Sequence, residues 1–442
     1  MDVAIIGAGP TGLFTAVALA RRGHLVTVVD RDPGPAPDGT WERRGVMQFH
    51  HPHGIRRQVV RALEAELPEV AEALVAAGAE LSVVPMGEGV PPMVVGLHCR
   101  RMVFERELRA AAVAEPGVTF VAGHADEVLS ERGRAAGLRV GGAELRAGLV
   151  VDASGRSGRI AGVRRAPAIG GDCGLAYISR QYALRPGAEP GPVNAPPGLV
   201  TRFPGYLAAV FLQDSRTVSV MISRLSSDRE LAGLRERDAF EAAVRVIPGL
   251  DEWTAPERAE PITGVLPGAR LHNSYRGQLD EDGEVALPGL VHLGDAVCTT
   301  NPTAGRGIAT SLMQARQFVR ILGADVESAT RELDAWCTAQ IRPWFDDHVA
   351  WDADEVRLWS GEDIDLDRPL TSGHIVAAGQ AEPSLMRVIG PYLTMNALPA
   401  TLGEVEPRAR EIYARGWRPP VPAGPTRDDL AELVRRHAGV TV

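Results

Sequence analysis

The sequence predicts an α/β protein (α+β overall) with a Rossmann-like nucleotide-binding domain, an inserted antiparallel-sheet domain and a helical C-terminal part. Residues 1–30 read as strand, glycine turn, helix and strand. Two later apolar runs, at residues 149–151 and 291–293, end in polar, turn-rich loops, as strands of a parallel sheet do. Residues 118–121, 125–129 and 138–140 are predicted to be strands of one small sheet. From about residue 174, several strand-like runs follow one another without helices between them, which predicts an antiparallel sheet.

The first unit is the most informative stretch. Val3 to Ile6 is a β-branched run, residues 13–22 are rich in the helix formers Ala and Leu, and Leu25 to Val29 is a second strand that ends on Asp30. The turn between the first strand and the helix consists of Gly7, Ala8, Gly9, Pro10, Thr11 and Gly12.

Each glycine of this turn has a physical task. Gly7 permits the tight turn, Gly9 lets the backbone approach a pyrophosphate, and Gly12 lets the helix pack closely. The helix N-terminus, at Pro10 and Thr11, offers N–H groups to phosphates, and Asp30 can accept hydrogen bonds from ribose hydroxyls. The unit therefore predicts dinucleotide binding, although by itself it does not separate FAD from NAD.

Composition limits the partners. The 442 residues carry a net charge of −9 with no basic stripe, which excludes nucleic acid as an expected partner. All 47 basic residues are arginines, so no mechanism can use a lysine amine. Four widely spaced cysteines predict reduced thiols rather than disulfides or a zinc site. With a strand at the second residue and no apolar run of about 18, we expect neither signal peptide nor membrane partner, and a cytoplasmic protein.

A polar loop follows the first unit. It carries Arg31, Arg43 and Arg44, one of which is expected to contact phosphate, and then three histidines, His50, His51 and His53. Pro52 breaks any helix, and no carboxylate or cysteine stands at ligand spacing, so no metal site is predicted. His53 is expected to cap a helix over residues 54–67; the alternative is a solvated basic turn.

Two further loops are expected beside the first, at the carboxyl edge where open α/β sheets bind ligands. The second begins at Asp152 and continues through Ala153, Ser154, Gly155, Arg156 and Ser157. The third begins at Gly294 and Asp295, contains Pro302, Gly305, Arg306 and Gly307, and leads at Ile308 into a long helix. The alternative for its glycines is an ordinary helix cap.

The three loops occur in the order and spacing of one family. The chain resembles the FAD-dependent monooxygenases of the para-hydroxybenzoate hydroxylase fold, which are glutathione-reductase-like flavoproteins. The resemblance implies an FAD-binding domain at residues 1–165 and 285–330. It implies an antiparallel-sheet substrate domain at residues 166–284, and it leaves residues 331–442 as a helical region of unassigned role.

The resemblance also implies roles for single residues. Asp295 would bind a ribityl hydroxyl, Pro302 would line the isoalloxazine, and the backbone N–H groups at Gly305 and Gly307 would approach its pyrimidine ring. Arg101 matches a cofactor-contacting arginine at the start of a helix. The remaining implied contacts are Ala125 with adenine, Asp152 with the cofactor, and Arg44 or Arg43 with the pyrophosphate.

Two departures from the family pattern matter. The second loop reads Asp-Ala-Ser-Gly where the hydroxylases that use NADPH on one chain have Asp-Gly, so it is more similar to the epoxidases, halogenases and prenyl reductases of the fold. Arg306 replaces a common glutamine and is expected to place a cation near the flavin. Gly45, Val46 and Gln48, with His51 and His53, resemble a signature of bacterial polyketide and polyether epoxidases. The flavin-proximal candidates are Pro302, Gly305, Arg306 and His53.

The predicted function is a monooxygenase that inserts one oxygen atom of O2 into a small organic, secondary-metabolite substrate, by hydroxylation or epoxidation through a flavin C4a-hydroperoxide. No catalytic residue is assigned. Halogenation is disfavoured because that subfamily relies on a lysine. The alternatives are a C=C reductase of the same fold and a non-catalytic FAD-binding protein. Reducing equivalents are expected from NAD(P)H, either directly or, as the second loop favours, through a partner flavin reductase.

Overall fold

The computed structural model describes residues 1–43, 45–85, 89–157 and 163–437. In chain order the strands are β1 Asp2–Ile6, β2 Leu25–Asp30, β3 Ile55–Arg56, β4 Glu80–Val84, β5 Met93–His98, β6 Val118–Ala122, β7 Ala125–Glu131, β8 Arg134–Val140, β9 Ala143–Arg146, β10 Leu149–Asp152, β11 Ile169–Asp172, β12 Leu175–Leu184, β13 Gly198–Phe203, β14 Tyr206–Leu212, β15 Thr217–Leu225, β16 Ala259–Pro261, β17 Leu266–Gly268, β18 His272–Tyr275, β19 Leu290–His292 and β20 Cys298–Thr299.

The helices are α1 Pro10–Ala20, α2 Arg57–Glu66, α3 Pro68–Ala76, α4 Arg101–Ala114, α5 Arg237–Val246, α6 Asp251–Thr254, α7 Gly307–Ile321, α8 Val326–Gln340, α9 Arg342–Trp359, α10 Ser372–Ala378, α11 Met386–Leu393, α12 Glu406–Ala414 and α13 Arg427–His437. None of the helices in the described ranges combines the length and the apolar character that a membrane crossing would require.

A five-stranded parallel sheet positions the site. Its order is β19-β10-β1-β2-β6, and every neighbouring pair runs parallel. The Rossmann-like core and the fold class are therefore confirmed. The strand at residues 118–121, expected in a small sheet, is instead β6 at the edge of this one, because its apolar residues pair with β2. The small sheet contains β7, β8 and β9.

The second large sheet is antiparallel, with the order β13-β14-β15-β12-β16 and with β17 also paired to β12. One face packs on α5 and α13 through a buried cluster that includes Tyr182, Phe240 and Leu430. The other face carries Tyr177, Ala209 and Met221. Side chains alternate along a strand, and this second face packs against Val356 and Trp359 of α9.

The C-terminal helices share a hydrophobic core with the nucleotide-binding unit. Trp344 of α9 and Tyr392 of α11 belong to the same buried cluster as Leu13 and Phe14 of α1. This region therefore packs directly on the unit that contains the glycine turn.

Candidate functional site

Three loops begin side by side at the carboxyl edge of the parallel sheet. Ile6 pairs with Asp152, and Asp152 pairs with His292, so the last residues of β1, β10 and β19 form one row. The loops touch directly. A Cβ at Gly7 would lie 2.5 Å from the Ala153 carbonyl oxygen, and a Cβ at Gly294 would lie 2.7 Å from Thr11 Oγ1. The three sequence motifs therefore form one site.

The glycines of the first turn differ in what surrounds them. A Cβ at Gly12 would lie 1.9 Å from the Gly7 carbonyl oxygen, so Gly12 is required by the fold itself. A Cβ at Gly9 would meet no protein atom within 4 Å. Gly9 precedes Pro10, the first residue of α1, so its open side lies at the helix N-terminus, where an anion is stabilised.

Asp30 belongs to a cluster of charges under this turn. Its Oδ2 accepts hydrogen bonds from the Ala8 N–H (2.6 Å) and from Arg43 Nη2 (3.0 Å). Arg43 is buried, and its Nη1 also donates to Glu105. Arg43 thus orients the predicted ribose-binding carboxylate rather than standing free for a phosphate. Arg44, the competing candidate, lies outside the described residues.

Asp152 is fully buried. Its Oδ2 accepts a hydrogen bond from His292 Nδ1 at 2.8 Å, and its Oδ1 accepts one from the Ser154 N–H at 3.1 Å. Burial lowers the pKa of His292, so its ring is neutral and Nδ1 donates to an ionised carboxylate. Asp152 therefore links the ends of β10 and β19, where the second and third loops begin.

Asp295, at the start of the third loop, is the predicted ligand carboxylate for the ribityl chain. Its side chain is exposed, yet the surrounding protein raises its pKa by desolvation, against the opposing charges of Arg101 and Arg156. An exposed carboxylate whose pKa is raised by desolvation has many protein atoms around it, as in a concave surface. Arg101 and Arg156 lie near enough to Asp295 to oppose this shift.

The third loop is held from the side of α2. Asn301 caps the 3-10 turn Pro302–Ala304 by accepting from the Thr303 N–H, and Gly305 ends the turn with a φ of +61°. Arg56 then donates to the Ala304 and Gly305 carbonyl oxygens. The helix α7 begins at Gly307, where a Cβ would meet no protein atom within 4 Å.

Arg306, which the sequence predicted as a cation near the flavin, is paired with residues of the C-terminal helices. Arg306 is buried, and its Nη1 lies 2.7 Å from Asp347 Oδ2 while its Nη2 donates to the Tyr392 hydroxyl. Its guanidinium also lies 4.8 Å from the ring centre of Trp344. A carboxylate and aromatic faces compensate the burial, so the arginine anchors the C-terminal helices.

The three histidines of the polar loop, His50, His51 and His53, each bind a different partner. His50 pairs with Glu42, whereas His51 Nδ1 lies 2.7 Å from Ser179 Oγ of β12. His53 contacts the His51 carbonyl, so the predicted cap is wrong: residues 55–56 form β3, and α2 starts at Arg57. Burial lowers the pKa of His51 to about 4, so its hydrogen bond joins the loop to the antiparallel sheet as a neutral group.

The remaining predicted residues are spread around the same edge. Arg31 is exposed after Asp30, and Ala125 begins β7. The Gly123 N–H, two residues earlier, donates to the Asp30 carbonyl oxygen at 2.9 Å, which brings this segment beside the end of β2. Ile308 follows Gly307 in the first turn of α7.

Sequence reasoning missed several residues of the site. They are Glu105, which binds both Arg43 and Arg101, His292, which binds Asp152, and Arg56, which binds the third loop. The four-residue spacing of Arg101 and Glu105 on one helix could have indicated their pairing. Arg56 gave no such signal, because its partner Gly305 lies 249 positions away.

The residues at this edge fit an FAD molecule. Gly9 and Gly307 each lie at the start of a helix, and a Cβ at either position would meet no protein atom within 4 Å. A ligand could therefore approach the protein backbone closely at both glycines. Asp30 lies at the end of β2, and the side chain of Asp295 in the third loop is exposed. The helix N-termini offer N–H donors to a pyrophosphate, and the two carboxylates offer acceptors to the ribose and ribityl hydroxyls of FAD.

Comparison with known proteins agrees with this assignment. A sequence model of the family described as FAD dependent oxidoreductase matches residues 2–87. D-amino acid dehydrogenase 2 of Ralstonia nicotianae is 39% identical over 51 residues, which is 12% of this chain and 12% of that protein's length. The first unit is therefore similar to the nucleotide-binding part of FAD-dependent oxidoreductases, and the family match agrees with FAD as the cofactor.

Solved structures extend the likeness to the whole fold. The flavin-dependent brominase Bmp2 superposes with a TM-score of 0.59 at 16% identity, over 83% of this chain and 95% of that one. PqsL, described as a probable FAD-dependent monooxygenase from Pseudomonas aeruginosa, superposes with a TM-score of 0.55 at 18% identity, over 82% and 98% of the two chains. The expected resemblance to flavin monooxygenases is confirmed at the level of the fold.

Proposed function

We propose that this protein is an FAD-dependent monooxygenase that inserts one oxygen atom of O2 into a small organic substrate, by hydroxylation or epoxidation. The observation that carries the proposal is the meeting of three loops in one row at the sheet edge, together with an antiparallel sheet whose Ser179 contacts His51 of the polar loop that follows β2. The fold shared with flavin-dependent enzymes supports it. The absence of lysine from the sequence disfavours halogenation.

Named residues would hold FAD in this site. The open face of Gly9 and the N-terminus of α1 would bind the pyrophosphate, Asp30 the adenosine ribose, and Asp295 the ribityl chain. Pro302, Gly305 and the N-terminus of α7 would lie against the flavin ring, where a helix N-terminus stabilises negative charge. When bound, the flavin supplies the redox chemistry that activates O2.

The antiparallel sheet would position the substrate. Its inner face presents Tyr177, Ala209 and Met221, which are buried together with Leu175 and Leu271. Buried Ser179, Gln181 and Ser219 lie on the same face, so the lining would combine apolar side chains, which exclude water, with a few polar groups that can orient a substrate. His51 is neutral at pH 7 and can position a polar group without charging the site.

Reducing equivalents would come from NAD(P)H. The sequence has a single G-x-G-x-x-G unit, so it offers no second nucleotide domain for NADPH, and delivery through a partner flavin reductase is the favoured route. Anaerobic mixing with NADPH tests this. Slow bleaching of bound FAD that becomes fast when a flavin reductase is added supports the partner, and fast bleaching by NADPH alone contradicts it.

Isotope labelling tests the proposed reaction. Small-molecule extracts of the source organism, incubated with the protein, FAD, NADH and a flavin reductase under 18O2, should yield a product that gains one heavy oxygen atom. A product that gains two hydrogen atoms and no labelled oxygen would indicate a C=C reductase. Bound flavin that shows no redox turnover with these extracts would indicate a non-catalytic FAD-binding protein.

A further inference from the structure

A buried polar network joins the C-terminal helix α9 to the third loop. Asp352 of α9 is only 3% exposed. Its Oδ2 accepts a hydrogen bond from Asn273 Nδ2 at 2.7 Å, and its Oδ1 accepts one from Asn301 Nδ2 at 3.0 Å. Asn273 and Asn301 are equally buried, so none of these groups can turn to water instead.

The orientation of both amides is fixed by the backbone. The Asn301 N–H donates to Asn273 Oδ1 at 2.7 Å, and the Thr303 N–H donates to Asn301 Oδ1 at 3.2 Å. A backbone N–H can only donate, so each amide must turn its oxygen to the backbone and its NH2 group to Asp352. Asp352 therefore faces two donors, and only an ionised carboxylate accepts from both at once.

The held residue controls the loop. Asn301 caps the 3-10 turn Pro302–Ala304, which leads directly to Gly305. Arg56 binds this loop at Ala304, and Arg306, at the end of the loop, binds Asp347. The Asp352 network fixes the beginning of the loop at Asn301. Two of the three contacts therefore involve α9, through Asp352 and through Asp347.

We propose that Asp352 is a positioning residue for the flavin: it sets the course of residues 301–305 through Asn301 and thereby the fit of the cofactor. The inference rests on the proposed function only in placing FAD beside this loop. It assigns to α9 a part in cofactor binding, which the sequence left open for the C-terminal region.

Substitution by the isosteric amide tests the inference. Asp352→Asn should weaken FAD binding to the apoprotein about tenfold, because an amide puts one donor against another, and it should shift the visible spectrum of the bound flavin. Asp346→Asn removes an exposed carboxylate from the same helix and should leave both unchanged. If Asp352→Asn does not fold, Asn273→Ala, which deletes one arm of the network, should weaken FAD binding in the same way.

The pH profile separates positioning from a merely structural role. Burial raises the pKa of Asp352 to about 6, against the opposing hydrogen bonds of Asn273 and Asn301. The charges that face it are Glu355 and Arg306, while His348, 3.7 Å away, is neutral because burial lowers its pKa to about 3. FAD binding should therefore weaken as the pH falls through about 6 in the wild type, and this dependence should be absent in Asp352→Asn.

The outcomes are distinct. A wild type that binds no FAD would overturn the cofactor assignment itself. A wild type that binds FAD, with Asp352→Asn equal to it in affinity and spectrum, would overturn only the positioning role. A pH dependence that survives in Asp352→Asn would show that another group titrates, and it would equally overturn the inference.

Discussion

Two glycines of the first turn should respond in opposite ways to the same small change. In Gly9→Ala the new methyl group meets no protein atom within 4 Å, and Gly9 has a φ of −85° that alanine adopts freely. In Gly12→Ala the methyl group would lie 1.9 Å from the Gly7 carbonyl oxygen, which belongs to the backbone and has little room to move. The first change should therefore affect the ligand, and the second the fold.

The magnitudes follow from this geometry. Gly9→Ala should change the free energy of unfolding of the apoprotein by less than about 1 kcal/mol, since only the N-cap preference is altered. It should weaken FAD binding by about 1–3 kcal/mol, roughly five- to 150-fold, because the methyl group occupies space needed by the pyrophosphate. Gly12→Ala should destabilise the apoprotein by about 1–3 kcal/mol or more.

Urea unfolding of the apoproteins and titration with FAD measure the two effects separately. Gly323→Ala is a control, because that glycine lies between α7 and α8, has no positive φ, and its added methyl group also meets no atom within 4 Å. FAD affinity in Gly9→Ala equal to that of the wild type would refute the assignment of the open side of Gly9 to the cofactor.

Three further predictions concern charged side chains of the site and of the contacts with α9. Asp295→Ala should weaken FAD binding by about 1–3 kcal/mol, through loss of a hydrogen bond, and an unchanged dissociation constant would contradict its role. Arg306→Ala should destabilise the protein by about 3–5 kcal/mol in urea unfolding, because it removes the only charged partner that the Asp347 carboxylate has among the described residues and leaves it the Tyr392 hydroxyl, whereas the exposed Arg342→Ala should cost less than about 1 kcal/mol. The raised pKa of Asp352, about 6, gives stability that is present below about pH 4 and lost as the pH rises through 6. Wild type should thus gain about 2.5 kcal/mol relative to Asp352→Asn between pH 7.5 and pH 4, and an equal difference at both pH values would contradict this.

The sequence predicted what local patterns determine. The first unit is continuous in sequence, so its strand, turn, helix and Asp30 could be placed from spacing alone. The three loops met as expected, because parallel strands bring their carboxyl ends to one edge. The antiparallel sheet was visible as successive strands without helices between them.

Partners that are distant in sequence could not be predicted. Arg306 was expected beside the flavin from its place between two glycines, yet its carboxylate partner lies 41 positions later on α9. Asp352 carries no motif, and its role appears only when β18 and the third loop pack against α9. The β6 error has the same origin, since an apolar strand of five residues fits either sheet by its own pattern.

The central claim is that the three loops form one site for a non-covalently bound FAD. The most direct test is to purify the protein, denature it with acid or heat, and identify and count the released chromophore against the protein. We predict intact FAD at one equivalent per chain, either as purified or after reconstitution. A protein that releases no FAD and takes up none when it is added would contradict the account.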